Sequence, residues 1–93
     1  MNLRKEARGR ECQVRLPCCN GDPETTVGHH IRGTGDGGVG RKPSDIFIAW
    51  ACSDCHAAIH RQAHTDLDFD FIRAHELEGL VRTQLVLIKE GKL

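Results

Sequence analysis

The sequence is poor in aromatic side chains: its 93 residues include three phenylalanines, one tryptophan and no tyrosine. A chain of this length buries only a modest fraction of the surface that it exposes when unfolded. Its ten glycines raise the conformational entropy that folding must overcome. We therefore expect a single domain, residues 1–93, in which something besides apolar burial contributes to stability.

The sequence also lacks a net charge and a long apolar segment. Its 13 basic and 13 acidic side chains balance, which argues against a protein that coats nucleic acid non-specifically through bulk charge. No stretch is long enough to span a bilayer, and no apolar run follows the charged start at Arg4 and Lys5. We expect a cytoplasmic protein with no membrane partner.

Basic residues are nevertheless concentrated near the start of the chain. Residues 1–15 carry five basic and two acidic side chains, whereas residues 62–93 carry four basic and six acidic ones. If the protein binds nucleic acid, this basic arm and some later basic residues should face the phosphates. The alternative is a solvated arm. The predicted nucleic-acid contacts are Arg8, Arg10, Arg32 and Lys42.

Residues 52–60 place four metal-binding side chains within nine positions. Cys52 and Cys55 have Cys-x-x-Cys spacing, and His56 and His60 follow. An odd total of five cysteines and the lack of a secretory signal favour a reduced metal site over a disulfide framework. A thioredoxin-like redox pair is a weaker alternative, because that motif belongs to a larger βαβ unit.

A second pair of thiols upstream would complete a tetrahedral zinc site. Cys12 supplies one of them, and either Cys18 or Cys19 supplies the other. We favour Cys19, because the Asn-Gly dipeptide that follows it permits the sharp bend that a zinc knuckle needs. The predicted ligands of a structural Zn²⁺ are Cys12, Cys19, Cys52 and Cys55.

The histidines suggest a second cation site. His56 and His60 are four residues apart, so on a helix they share a face and can point at one ion. His29 and His30 are adjacent, and a regular strand would send them to opposite sides. Gly28 would permit a bulge that re-aims the pair. Alternatively, the histidines are surface groups or substitute ligands of the single structural zinc.

The remaining pattern predicts two strands and two helices. Ser53 is the predicted N-cap of the first helix, and Gly91 should end the second, which we expect to cover the metal-bearing unit. A Gly-rich segment, residues 33–40, is most simply an excursion between the strands. The predicted elements are strands at residues 25–31 and 46–51 and helices at about residues 54–62 and 71–90.

These residues resemble the HNH endonucleases, also called the His-Me finger or ββα-metal group, in their zinc-knuckle form. The resemblance rests on His29-His30-Ile31, the Gly-rich segment, Asp45 and Cys52-x-x-Cys55-His56-x-x-x-His60. Nearly end to end, the chain is similar to the YbcO-type family of small prophage candidate nucleases. The stretches that carry this second resemblance include residues 7–15, 19–21, 23–25, 30–32, 51–53 and 77–79.

The resemblance implies roles for individual residues. His30 matches the family's general base. Asp45 or Ser44 lies nearest to the position of the family's middle Asn, for which this sequence has no Asn; Asp45 is the predicted catalytic residue. His29, His56 and His60 match ligands of a catalytic divalent ion. Imidazole ligands suit Zn²⁺, Ni²⁺ or Co²⁺, and Mn²⁺ less well, whereas Mg²⁺ prefers oxygen ligands.

The predicted fold class is α+β: a small ββα-metal domain with a zinc knuckle, its core at residues 25–62, and a C-terminal packing helix. The predicted function is that of a metal-dependent endonuclease, a hydrolase that cuts the phosphodiester bonds of DNA. The resemblance implies a phage or prophage gene acting in a bacterium or a phage-infected host cell. The alternative is a catalytically silent zinc-knuckle module that binds nucleic acid or a protein. No oligomeric state is predicted.

Overall fold

Two short strands and two helices make up the computed structural model, which describes residues 3–33 and 44–93. In chain order they are β1 (Val27–His30), β2 (Ile48–Ala51), α1 (Ser53–Ile59) and α2 (Phe69–Lys89). The chain thus forms a small α+β unit, as predicted. Most of the Gly-rich segment and Lys42 lie outside the described residues. Among the helices described, none has the length and apolar character needed to cross a membrane.

The two strands form an antiparallel pair in which His30 lies opposite Ile48. All four residues of β2 are buried. Both strands are shorter than predicted, because the residues just before them, Pro23–Thr25 and Asp45–Phe47, form 3-10 turns. The pairing runs without interruption through β1, so Gly28 does not introduce a bulge there.

Helix α1 begins at Ser53 and is capped by Cys52, which corrects the prediction of Ser53 as the N-cap. Cys52 has extended backbone dihedrals, and its sulfur accepts a hydrogen bond from the backbone N–H of Cys55 at 3.4 Å. The hydroxyl of Ser53 instead accepts a hydrogen bond from the Asn20 side chain. The helix ends at Ile59, three residues earlier than predicted, and Arg61 just beyond has a φ of 57°.

Helix α2 packs across β2, as predicted for a helix that covers the metal-bearing unit. It begins two residues earlier than predicted, because the Asp68 carboxylate accepts hydrogen bonds from the backbone N–H groups of Asp70 and Phe71. Thr83, which is fully buried, accepts a hydrogen bond from the backbone N–H of Trp50 at 3.0 Å. The helix is therefore tied to the sheet by a polar contact as well as by apolar packing.

Candidate metal centres

Four cysteine sulfurs form a compact group at the junction of α1 and the N-terminal segment. The sulfurs of Cys12, Cys19, Cys52 and Cys55 all lie within 4.8 Å of one another. Cys12 Sγ lies 3.7 Å from Cys55 Sγ, and Cys52 Sγ lies 3.8 Å from Cys19 Sγ. Tetrahedral zinc–thiolate bonds of about 2.3 Å require sulfurs about 3.8 Å apart. The group could therefore hold a tetrahedral metal ion.

Backbone contacts bring cysteines that are distant in sequence close together. The segment after Cys12 lies along β2, where the backbone N–H of Gln13 donates to the carbonyl of Trp50 at 2.7 Å. A turn then brings in Cys19, the cysteine that we favoured from its sequence context. Cys18 lies outside the group, with its sulfur 3.8 Å from the backbone carbonyl of Asp54.

The proximity of the sulfurs perturbs their ionisation. The hydrogen bond with Cys55 lowers the pKa of Cys12 to about 4, and the same contact, together with burial, raises the pKa of Cys55. Burial also raises the pKa of Cys19 to about 11. One thiolate is thus favoured, and a cation among the sulfurs would stabilise the others. All five cysteines are free thiols.

Three histidines form a second group, next to the first but separate from it. The ring nitrogens of His29, His56 and His60 lie within 4.8 Å of one another. The Nε2 atoms of His56, on α1, and of His60, its C-cap, are 3.2 Å apart, close to the value of about 3.3 Å for two imidazoles on a tetrahedral zinc ion. The third histidine comes from β1, where His29 is only 4% exposed.

The surroundings of His56 and His60 favour the neutral form of imidazole. Burial lowers the pKa of His56, and the neighbouring His60 and His29 lower it further. Burial likewise lowers the pKa of His60, with contributions from His29 and Arg32. Since only a neutral imidazole can bind a metal, both of these side chains are in the form needed to coordinate an ion near neutral pH.

Glu76 on α2 contacts this group and was not predicted from the sequence. Its Oε2 pairs with His29 Nε2, and its Oε1 accepts a hydrogen bond from Arg73 at 2.7 Å. Burial raises the pKa of Glu76, but the bonds from His29 and Arg73 outweigh burial and leave that pKa below its ordinary value. Helical spacing is the signal that could have found it, because Glu76 lies on the buried face of α2 with Ile72, Gly79, Thr83 and Leu87.

His30 points to a different neighbour. Its Nε2 lies 3.0 Å from Asp45 Oδ1, and Asp45 Oδ2 lies 3.5 Å from Arg4 Nε. The structure thus brings together the two predicted catalytic residues, His30 and Asp45, although His30 lies outside the three-histidine group. The different contacts of His29 and His30 agree with the alternation expected along a strand.

The predicted nucleic-acid contacts have different environments. Arg8 is exposed and lines a cavity of about 420 Å³. Arg32 is exposed and lines a second cavity of about 250 Å³, beside His29 and His60. Arg10, by contrast, pairs with two carboxylates of the same chain. Lys42 lies outside the described residues.

The chain is similar to known proteins over nearly its whole length. The model of the family described as "Putative nuclease YbcO" matches residues 1–92. Proteins with that description from Escherichia coli (strain K12) and from Enterobacteria phage 82 are each 53% identical to this chain over 91 residues, which is 97% of this chain and 94% of the relative. A solved structure of a "putative bacteriophage protein" from Escherichia coli K-12 superposes with a TM-score of 0.80 at 46% identity. That alignment covers 97% of this chain and 100% of the other.

Proposed function

The chain belongs to the YbcO family, and we propose that it is an HNH-type, metal-dependent endonuclease that hydrolyses phosphodiester bonds in DNA. The relatives' shared description, which contains the word nuclease, supports a hydrolase acting on nucleic acid. The phage relative supports a phage or prophage origin. The observation that carries the proposal is the convergence of three imidazoles, from β1, α1 and the C-cap of α1, beside a cavity lined by two arginines.

The order of elements supports the ββα-metal interpretation. An antiparallel strand pair is followed directly by a helix, and the three histidines come from the first strand, from that helix and from its C-cap. In this proposal residues 25–62 form the catalytic core, residues 1–15 form a basic arm, and α2 covers the core as the C-terminal helix.

The four-cysteine group is proposed to hold a structural Zn²⁺. Its sulfur separations fit a tetrahedral thiolate site, and thiolates suit zinc. This ion would join the segment that contains Cys12 and Cys19 to the start of α1. It would thereby fix the helix that carries His56 and ends at His60.

The three-histidine group is proposed to hold the catalytic divalent ion through His29, His56 and His60. Such an ion, when bound, would neutralise charge on the scissile phosphate and on the leaving oxygen. An all-imidazole donor set suits Zn²⁺, Ni²⁺ or Co²⁺ better than Mn²⁺, and Mg²⁺ least.

His30 is proposed to be the general base. Asp45 accepts a hydrogen bond from Nε2–H of His30 in this assignment, which leaves Nδ1 with the lone pair that takes a proton from the attacking water. The Asp45 carboxylate then stabilises the imidazolium that forms. Arg4, paired with Asp45, helps to orient that carboxylate.

Arg32 and Arg8 are proposed to contact DNA phosphates. Arg32 lies beside the histidine group, where Arg73 lines the same cavity. Arg8 lies with Arg4 and Lys5 around the larger cavity, so three basic side chains meet there. Lys42 stays a prediction. Arg10 is removed from the proposed contacts, because its guanidinium already binds Glu6 and Glu90.

Plasmid cleavage by purified, metal-loaded protein tests the proposal. We expect cleavage with Zn²⁺, Ni²⁺, Co²⁺ or Mn²⁺, loss of cleavage on chelation, and loss of about 10²–10⁴-fold in rate for His30→Ala. Plasmid that stays intact with every ion, or a His30→Ala protein that cuts like the parent, would contradict the proposal. DNA binding without cleavage would instead indicate a catalytically silent zinc-knuckle module.

A further inference from the structure

Glu76 is a buried carboxylate outside the β1–β2–α1 unit that holds the histidines. It is 5% exposed, and its described polar partners are His29 and Arg73. Burying a carboxylate is costly unless it is paired and hydrogen-bonded. Packing alone therefore does not explain why a glutamate lies on the buried face of this helix.

The partner of Glu76 is the most buried member of the histidine group. A histidine that binds a metal through one ring nitrogen usually donates its other N–H to a carboxylate or carbonyl, which fixes the tautomer and the ring orientation. Glu76 Oε2 forms a hydrogen bond with Nε2 of His29. Nδ1 is then the nitrogen left for an ion.

We propose that Glu76 is a positioning residue, which orients His29 as a metal ligand from outside the coordination sphere, so that α2 completes the metal site. This inference rests on the proposed divalent site. Among the described residues, the group of mutually close ligand atoms comprises His29, His56 and His60 and does not include Glu76. That grouping supports an outer position for the carboxylate.

Arg73 adds a second restraint. It lies one helical turn before Glu76 and binds Oε1, while Oε2 faces His29. The two oxygens therefore have different partners, and the carboxylate cannot rotate without losing one of them. In this arrangement α2 holds the ring of His29 in place and keeps Nε2 protonated.

The experiment is a Co²⁺ titration of the full chain without DNA, after the cysteine site has been filled with zinc. The d–d absorption bands of Co²⁺ report the ligands bound directly to the ion, and the titration gives the affinity. The variants are Glu76→Gln, Glu76→Ala and the matched control Glu78→Gln. Glu78 lies on the same helix, but its side chain is 64% exposed and pairs with Arg82.

We expect Glu76→Ala to weaken Co²⁺ binding by about 10–100-fold. Glu76→Gln should lose less, because an amide oxygen still accepts the bond from His29, and its d–d bands should match those of the parent. Glu78→Gln should bind like the parent. The near-isosteric glutamine variant keeps the test valid if Glu76→Ala does not fold.

Several results would overturn the inference. Parental affinity in both Glu76 variants would show that the carboxylate does not support the site. Altered d–d bands in Glu76→Gln would show that Glu76 is itself a ligand. No Co²⁺ binding by the zinc-filled parent would remove the site altogether. Since no DNA is present, a parent that binds Co²⁺ as expected but never cuts DNA contradicts the proposed function and leaves this inference standing.

Discussion

Cys55 and His56 are consecutive residues of α1, yet their side chains belong to different groups. Cys55 Sγ lies 3.7 Å from Cys12 Sγ, whereas His56 Nε2 lies 3.2 Å from His60 Nε2. Successive residues on a helix are rotated by about 100°, so one turn of α1 can face two neighbours. The thiol site and the imidazole site are therefore coupled through this single turn of backbone.

Removing one thiol should empty the four-cysteine site and destabilise the fold. In Cys55→Ser we expect the tightly held zinc to fall from about one per chain toward zero, with a lower Tm, because three thiolates no longer enclose the ion. Metal analysis and thermal unfolding measure this. Cys18→Ser is the control and should keep its zinc, since Cys18 lies outside the group. Full zinc content in Cys55→Ser would rule out the four-cysteine site.

Asp45→Ala should slow DNA cleavage without weakening metal binding. The substitution removes the acceptor for His30 Nε2, so the ring loses its orientation and its tautomer preference. We expect a smaller loss than the factor of about 10²–10⁴ for His30→Ala. Cleavage rates at saturating metal, with Co²⁺ affinity as the parallel measurement, test this. Unchanged cleavage would show that Asp45 has no part in the reaction.

The histidine group should respond to acid in a defined direction. The pKa values of His56 and His60 are lowered in the folded chain, so the unfolded chain takes up protons first as the pH falls below about 6.5. The free energy of unfolding of the metal-free chain should therefore decrease as the pH falls from about 6.5 through the lowered pKa values of the folded state. NMR titration of the imidazole protons measures these values. A His56 pKa at or above the ordinary value would contradict the prediction.

Two arginines of the basic arm should behave differently. Arg8→Ala should weaken DNA binding at all sequences and reduce the salt slope by about one counterion. Arg10→Ala should mainly lower stability, because Arg10 bridges Glu6 and Glu90 and lies over the Trp50 ring at 4.8 Å. Binding isotherms at several salt concentrations and urea denaturation separate the effects. Weaker DNA binding in Arg10→Ala and lower stability in Arg8→Ala would contradict this assignment.

The contact between α2 and the N-terminal segment should not tolerate a methyl group at Gly79. A Cβ there would lie 3.0 Å from Val14 Cα and 3.1 Å from the carbonyl oxygen of Gln13. We expect Gly79→Ala to destabilise the fold by about 1–3 kcal/mol, measured by urea denaturation. Val81→Ala, at an exposed position of the same helix, should change stability by less than about 0.5 kcal/mol. Equal stability of Gly79→Ala and the parent would show that the helix can shift to accept the methyl group.

Local chemistry explains which features were predictable. The spacing of Cys52 and Cys55 and the four-residue interval between His56 and His60 already place each pair on one turn. The apolar pattern predicts α2, with Gly91 just beyond its end at a φ of 73°. The helix begins at Phe69 rather than at the predicted residue 71, because Asp68 is its N-cap. The prediction of Ser53 as the N-cap was wrong, because the sulfur of Cys52 accepts the hydrogen bond from the backbone N–H of Cys55.

The sequence by itself determined the element types, the short-range ligand pairs and the basic start of the chain, because each depends on residues within a few positions of one another. Only the tertiary structure decided that Cys19 rather than Cys18 joins the sulfur group, that Arg10 binds acids of its own chain, and that Glu76 meets His29. These pairings join residues as many as 80 positions apart. The Arg10 and Glu76 pairings depend on how α2 packs across the sheet, and the Cys19 pairing depends on how the N-terminal segment turns toward α1; local patterns specify neither.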